Sequence, residues 1–143
     1  MRVCLGVIDM PYDYGDTPGK TTFEVAQDLQ EEYQIFSHFW AAHRDEIIRD
    51  AGTELAYQLI NHLKHKAPMT GITLLEGTEK AFHVFLEKEE MAGLSVEGVP
   101  TLAALQGRNS RLKKERGERR PSFIDGGLFK SSFVAWIDND AEP

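Results

Sequence analysis

Apolar residues recur at helical spacing through the first half of the chain and alternate like a strand at its two ends. Phe23, Ala26, Leu29 and Tyr33 repeat every three to four residues, with Thr22 placed to cap and Glu24 in the first turn, so a helix is predicted there. A longer periodic run follows through Phe36, Phe39, Ile47, Ile48, Ala51, Leu55, Leu59 and Leu63. Arg44, Glu46, Arg49, Asp50 and Glu54 fall mostly on its other side. That pattern predicts an amphipathic helix of about seven or eight turns ending near Lys66, before Ala67-Pro68. A break around Gln34 separates it from the first helix, and Gly52 is a weak point inside it. Thr78 is the predicted cap of a third helix, "EKAFHVFLEKEEM", with Ala81, Phe82, Phe85 and Leu86 on its apolar face and Gly93 as its stop.

The ends read differently. "RVCLGVID", Arg2 to Asp9, is rich in β-branched residues and stops before Pro11; "FVAWI", Phe133 to Ile137, places Phe133, Ala135 and Ile137 on one face and Val134 and Trp136 on the other. Apolar residues on both faces require cover on both sides, from the core or from a neighbour. "MPYDYGDTPGKTT" and "APMTGITLLEG" are connections, and a short helix is expected after Pro100. Terminal strands with helices between them predict an α+β fold: a small sheet including both strands, packed against the long helix and a second helix. Two strands alone are marginal in water, so a third is expected around Ile72 to Leu75 or from another subunit. The whole chain, 1–143, reads as one domain with a basic loop at 107–120 and a polar tail at 139–143.

Composition narrows the classes. Apolar residues make up 41% of 143 and charged residues 27%, the balance of a globular chain, and no apolar run approaches the roughly 20 residues that span a bilayer. The opening "MRVCLGVIDMPYD" is too short and too polar for a signal peptide, so synthesis in the cytoplasm is expected. Cys4 is the one cysteine, which excludes an internal disulfide and a cysteine-based metal cluster; a small core residue is the reading for it. The net charge of −7 disfavours free nucleic acid as the main partner. Yet "GRNSRLKKERGERR", Gly107 to Arg120, holds seven basic and two acidic residues, a local +5 on an acidic body. Such a strap can join the acidic face of a neighbouring copy or contact phosphates. It lacks interleaved aromatics for base stacking, so a small nucleic-acid-binding or regulatory protein is the alternative reading.

Candidate chemistry fails on spacing. "GDTPGKTT" has three residues between its glycines where a phosphate loop needs four, and Pro18 removes a donor N–H. "HRD" at His43 to Asp45 lies inside a helical pattern. His62 and His65 have no glutamate base between them, and basic residues at a helix C-terminus suit the dipole. Ser131 and Ser132 sit in no nucleophile elbow, and Glu87, Glu89 and Glu90 read as a solvated face. No catalytic residue, cofactor or metal site is therefore predicted, and the chain does not read as an enzyme.

The segment "RPSFIDGGLFKSSFVAWID" combines a proline, a glycine pair that permits close approach, one helical turn "LFKSS" placed for capping by Asp125, and the final strand. It resembles the C-terminal signature of small head–tail joining, or tail-completion, proteins of long-tailed bacteriophages, where a Thr-Gly-x-Leu-x-x-Ser turn leads into a strand. Asp125, Gly127, Leu128, Ser131 and Ser132 fall close to that pattern, with Gly126 where the threonine would stand. "KAPMTG", Lys66 to Gly71, is similar to the family's Ala-Pro-x-x-Thr-Gly turn after a helix. The resemblance covers the last 20 residues well and the central helix loosely. It implies a structural virion part, assembled in the host cytoplasm as a homo-oligomeric ring at the head–tail junction. Partners would be other neck or tail proteins (adaptor, tail tube or terminator), with weak contact to passing DNA and none to membrane. The residues expected at its interfaces are Arg111, Lys113, Lys114, Arg116, Arg119, Arg120, Phe123, Leu128, Phe129 and Trp136.

Overall fold

A computed structural model describes residues 2–12, 19–108, 116–124 and 127–139. The fold is α+β. Strand β1 (Arg2–Val7) pairs antiparallel with β2 (Phe133–Asp138), in a register that sets Val3 against Ile137 and Val7 against Phe133. Between them run α1 (Thr22–Tyr33), α2 (Ile35–His65), α3 (Glu76–Glu87) and the short turns α4 (Glu90–Gly93), α5 (Leu102–Leu105) and α6 (Leu128–Ser132).

Local chemistry explains the boundaries. The cap of α1 is Thr21, one residue before the predicted Thr22: its hydroxyl accepts from Glu24 N–H while Glu24 Oε2 accepts from Thr21 N–H at 2.8 Å, a reciprocal box. Thr22 has a different task. Fully buried, its hydroxyl accepts from Met10 N–H (2.8 Å) and donates to the Ile8 carbonyl (2.7 Å), tying the start of α1 to the end of β1. The break at Gln34 is a single left-handed residue (φ 52°, ψ 43°). No side chain of its own caps α2; Gln30 reaches over instead, accepting from Phe36 N–H at 3.0 Å and donating to Ser37 Oγ at 2.8 Å. At the far end Lys66 is left-handed (φ 56°) and closes the helix on His62 O.

Two expectations are corrected. Helix α3 begins at Glu76 with Leu75 before it, so Thr78 lies inside the first turn and is buried there. Ile72 to Leu75 form turns, not a strand, leaving a two-stranded sheet among the described residues. The expected cap of α6, Asp125, lies outside the described residues; Gly127, at φ 79°, precedes the turn.

The core is aromatic. Phe82 stacks on Phe133 with ring centroids 3.9 Å apart and meets Phe36, Phe39, Phe85 and Phe129 at 5.1–6.2 Å. These rings come from α2, α3, α6 and β2. Each buried ring contributes about 1.5–3 kcal/mol by leaving water, and each well-placed ring pair about 0.5–1.5 kcal/mol more. This cluster fixes the sheet and the first half of α2 on α3, and so determines which surfaces remain open.

Candidate interaction site

The final strand has one committed edge and one open edge. Ile8 N–H donates to the Ser132 carbonyl at 2.8 Å, and the antiparallel ladder keeps that alternation. Val134 and Trp136 therefore direct their backbone groups toward Gly6 and Cys4, while the N–H and C=O of Ala135 and Ile137 point away from β1. Among the described residues outside β1, none hydrogen-bonds to the Ala135 or Ile137 backbone. An edge of this kind is a template for another extended chain.

Beside that edge lies a groove of about 760 Å³. Val134 to Ile137 form one wall; Leu55, Met69, Ile72 and Leu74 form the other, with Glu79 and Asn139 on its rim. The second wall is held by Gln58, a buried side chain of α2. Its amide donates to Glu54 Oε1 (3.0 Å) and Thr73 Oγ1 (2.8 Å), and its carbonyl oxygen accepts from Thr70 N–H (2.9 Å). That network folds the chain after α2 back along the helix and presents Ile72 at 88% exposure. On the opposite sheet face Trp136 lies across Gly6, where an added Cβ would stand 3.1 Å from the indole. Half of Trp136 still faces solvent.

The structure divides the sequence-predicted interface residues. Arg111, Lys113 and Lys114 lie outside the described residues. Arg116 is exposed. Arg119 pairs within the chain, Nη2 donating to Glu89 Oε2 at 2.7 Å. Arg120 donates to the carbonyls of Ile124 (2.9 Å) and Arg108 (3.1 Å) and so pins both ends of the basic segment to the body. Phe123 packs edge-on against Tyr33 at 5.0 Å, and Leu128 leans on the core. Phe129 is 3% exposed and belongs to the core, with no surface left for a partner. Of the predicted aromatic and aliphatic anchors, Trp136 alone remains exposed.

The apolar stripe of α2 divides: Phe36, Phe39, Ile47 and Ala51 join the core, and the rest lies outside it. Ile48, Leu55, Leu59 and Leu63 of α2 are 56, 41, 46 and 65% exposed, and Tyr57 and Ile60 are exposed beside them. The signal was length. A helix of 31 residues at 1.5 Å per residue runs about 46 Å, beyond the roughly 30 Å width of a small domain. Its second half must overhang the body.

The remaining candidate groups sit in structural contacts. His43 is hydrogen-bonded to Glu90 Oε2 at 2.7 Å and stacked on Phe39; His62 Nδ1 lies 2.8 Å from the Ala67 carbonyl; Ser132 Oγ donates to Phe129 O at 2.7 Å. Among the described residues no helix is long and apolar enough to cross a membrane. No protein-family model matches this sequence, and no curated protein or solved structure shows significant similarity to it.

Proposed function

We propose that this chain is a structural assembly subunit that joins copies of itself into a ring at the head–tail junction or tail end of a long-tailed bacteriophage. The observation that carries the reading is the open edge of β2 beside an apolar groove. A two-stranded sheet is marginal, and the groove offers main-chain hydrogen bonds and apolar cover to a third strand. The occupant is an extended segment of the next copy. Edge of one copy to segment of the next is a head-to-tail contact, and such contacts close into rings when the rotation allows. The C-terminal resemblance to head–tail joining proteins supplies the biological setting, and the exposed Trp136 next to the groove is the residue type that anchors interfaces.

The test is direct. Light scattering coupled to gel filtration, with electron microscopy of the peak, is expected to give closed rings for the wild-type chain. Ile72→Glu is expected to abolish the rings with unchanged far-UV dichroism, since Ile72 is almost wholly exposed in the lone chain. A wild-type chain that stays monomeric at high concentration, or rings unaffected by Ile72→Glu, would overturn the reading.

A further inference from the structure

The second half of α2 presents a seam that touches the groove beside the sheet edge only at Leu55. On a helix of 3.6 residues per turn, Ala41, Ile48, Gly52, Leu55 and Leu59 fall within about a sixth of the circumference. From Ile48 onward their spacings are four, three and four, the rhythm of residues that meet a second helix. All five are exposed, and Asp45, at the edge of the same face, is 91% exposed. Gly52 stands at the centre. It adopts no positive φ, and a Cβ there would meet nothing within 4 Å, so the lone chain gives no reason for a residue that weakens helices. A second backbone approaching at that point does.

We infer that α2 pairs with α2 of a second copy, antiparallel and about a two-fold axis beside Gly52. In that register Gly52 faces Leu55 of the second copy, a small residue against a large one, and Ile48 faces Leu59. Charge selects the direction. The near end of the seam carries Asp45, Glu46 and Asp50 against Arg44 and Arg49; the far end carries Lys64 and Lys66 with His62 and His65. Antiparallel packing sets the acid-rich end of each helix against the basic end of the other, with Asp45 opposite His62. Parallel packing would set Lys64 and Lys66 against their own copies, a like-charge arrangement that opposes association. A two-fold contact closes at two copies, so it is distinct from the head-to-tail contact of the ring and goes beyond it.

Cross-linking tests the geometry on the full chain, with Cys4→Ala as background. An equimolar mixture of Ile48→Cys and Leu59→Cys chains, mildly oxidised, is expected to give a disulfide-linked dimer containing one of each. Either chain oxidised alone is expected to stay uncrosslinked. Leu59→Glu is expected to raise the dissociation constant of the pair at least 100-fold, while Ile72→Glu leaves pairing intact and removes rings. Self-linked dimers from each single-cysteine chain would establish a parallel pair and overturn the inference. Absence of any cross-link in the mixture, at concentrations where the uncrosslinked chain sediments as a dimer, would place the contact elsewhere and overturn it too. Pairing that survives without rings counts against the ring alone.

Discussion

Phe82 and Gly107 show how single residues set the limits of this fold. Phe82 is wholly buried and touches five other phenylalanine rings, so Phe82→Ala leaves a cavity at the point where β2 and three helices converge. The expected loss is about 3–5 kcal/mol, read as a fall in the urea midpoint. Gly107 is buried at φ 59°, with Glu118 O only 2.3 Å from where a Cβ would sit. Gly107→Ala combines left-handed strain with a backbone clash, and about 2 kcal/mol or more of stability is expected to go. Arg120 is legible in the sequence only as part of a basic run; its guanidinium in fact binds two carbonyls of its own chain. Removing it orphans the part-buried Ile124 carbonyl, while the exposed Arg108 carbonyl turns to water, and Arg120→Ala is expected to lower stability by about 1 kcal/mol. The Glu87 carboxyl is held below its ordinary value of 4.5, chiefly by the hydrogen bond from Lys130 Nζ at 2.6 Å and by that ammonium's charge. A lowered folded value means stability present above about 4.5 and lost as pH falls through the folded value. The melting-temperature gap between the wild type and Glu87→Gln is therefore expected to be small and positive at neutral pH and to vanish in acid.

Helix α2 carries most of the difference between reading the chain and seeing it. Its existence, its start after Gln34 and its end at Lys66 follow from periodicity and from Pro68. The two terminal strands follow as clearly from β-branched runs. Which face of the helix is covered does not follow, because periodicity reports a stripe and not what lies against it. Ile47 and Ile48 are neighbours in the same apolar run, yet Ile47 is buried and Ile48 is 56% exposed. The Ile72 to Leu75 segment misled for a related reason: its β-branched composition favours a strand, but Gln58 captures the Thr70 N–H and the Thr73 hydroxyl and bends it into turns. The groove at the candidate site was thus only half legible, through Trp136 and the strand, because its other wall depends on Gln58, a glutamine well inside α2 that looks in the sequence like ordinary surface. At this scale Gly52→Ala is expected to stabilise the monomer by about 1 kcal/mol, measured by thermal unfolding of a Leu59→Glu chain in which pairing is already lost.

The whole molecule is an acidic body with its aromatic core at one end and an apolar helix projecting from it. Exposed apolar surface runs from Trp136 and Ile72 through Leu55 to Leu63, and patches of that continuity mark interaction surfaces. Two of the groups that sequence motifs single out, His43 and Ser132, tie elements together, and Arg119, expected at an interface, pairs with Glu89 of its own chain. The most direct check of the central claim is the mass of the 143-residue chain in solution, measured by sedimentation equilibrium across a wide concentration range. Self-association through these surfaces predicts a mass that is a multiple of 16.2 kDa and that falls back to a single chain when Ile72→Glu and Leu59→Glu are combined. A wild-type chain that sediments as a single copy at every concentration would contradict it.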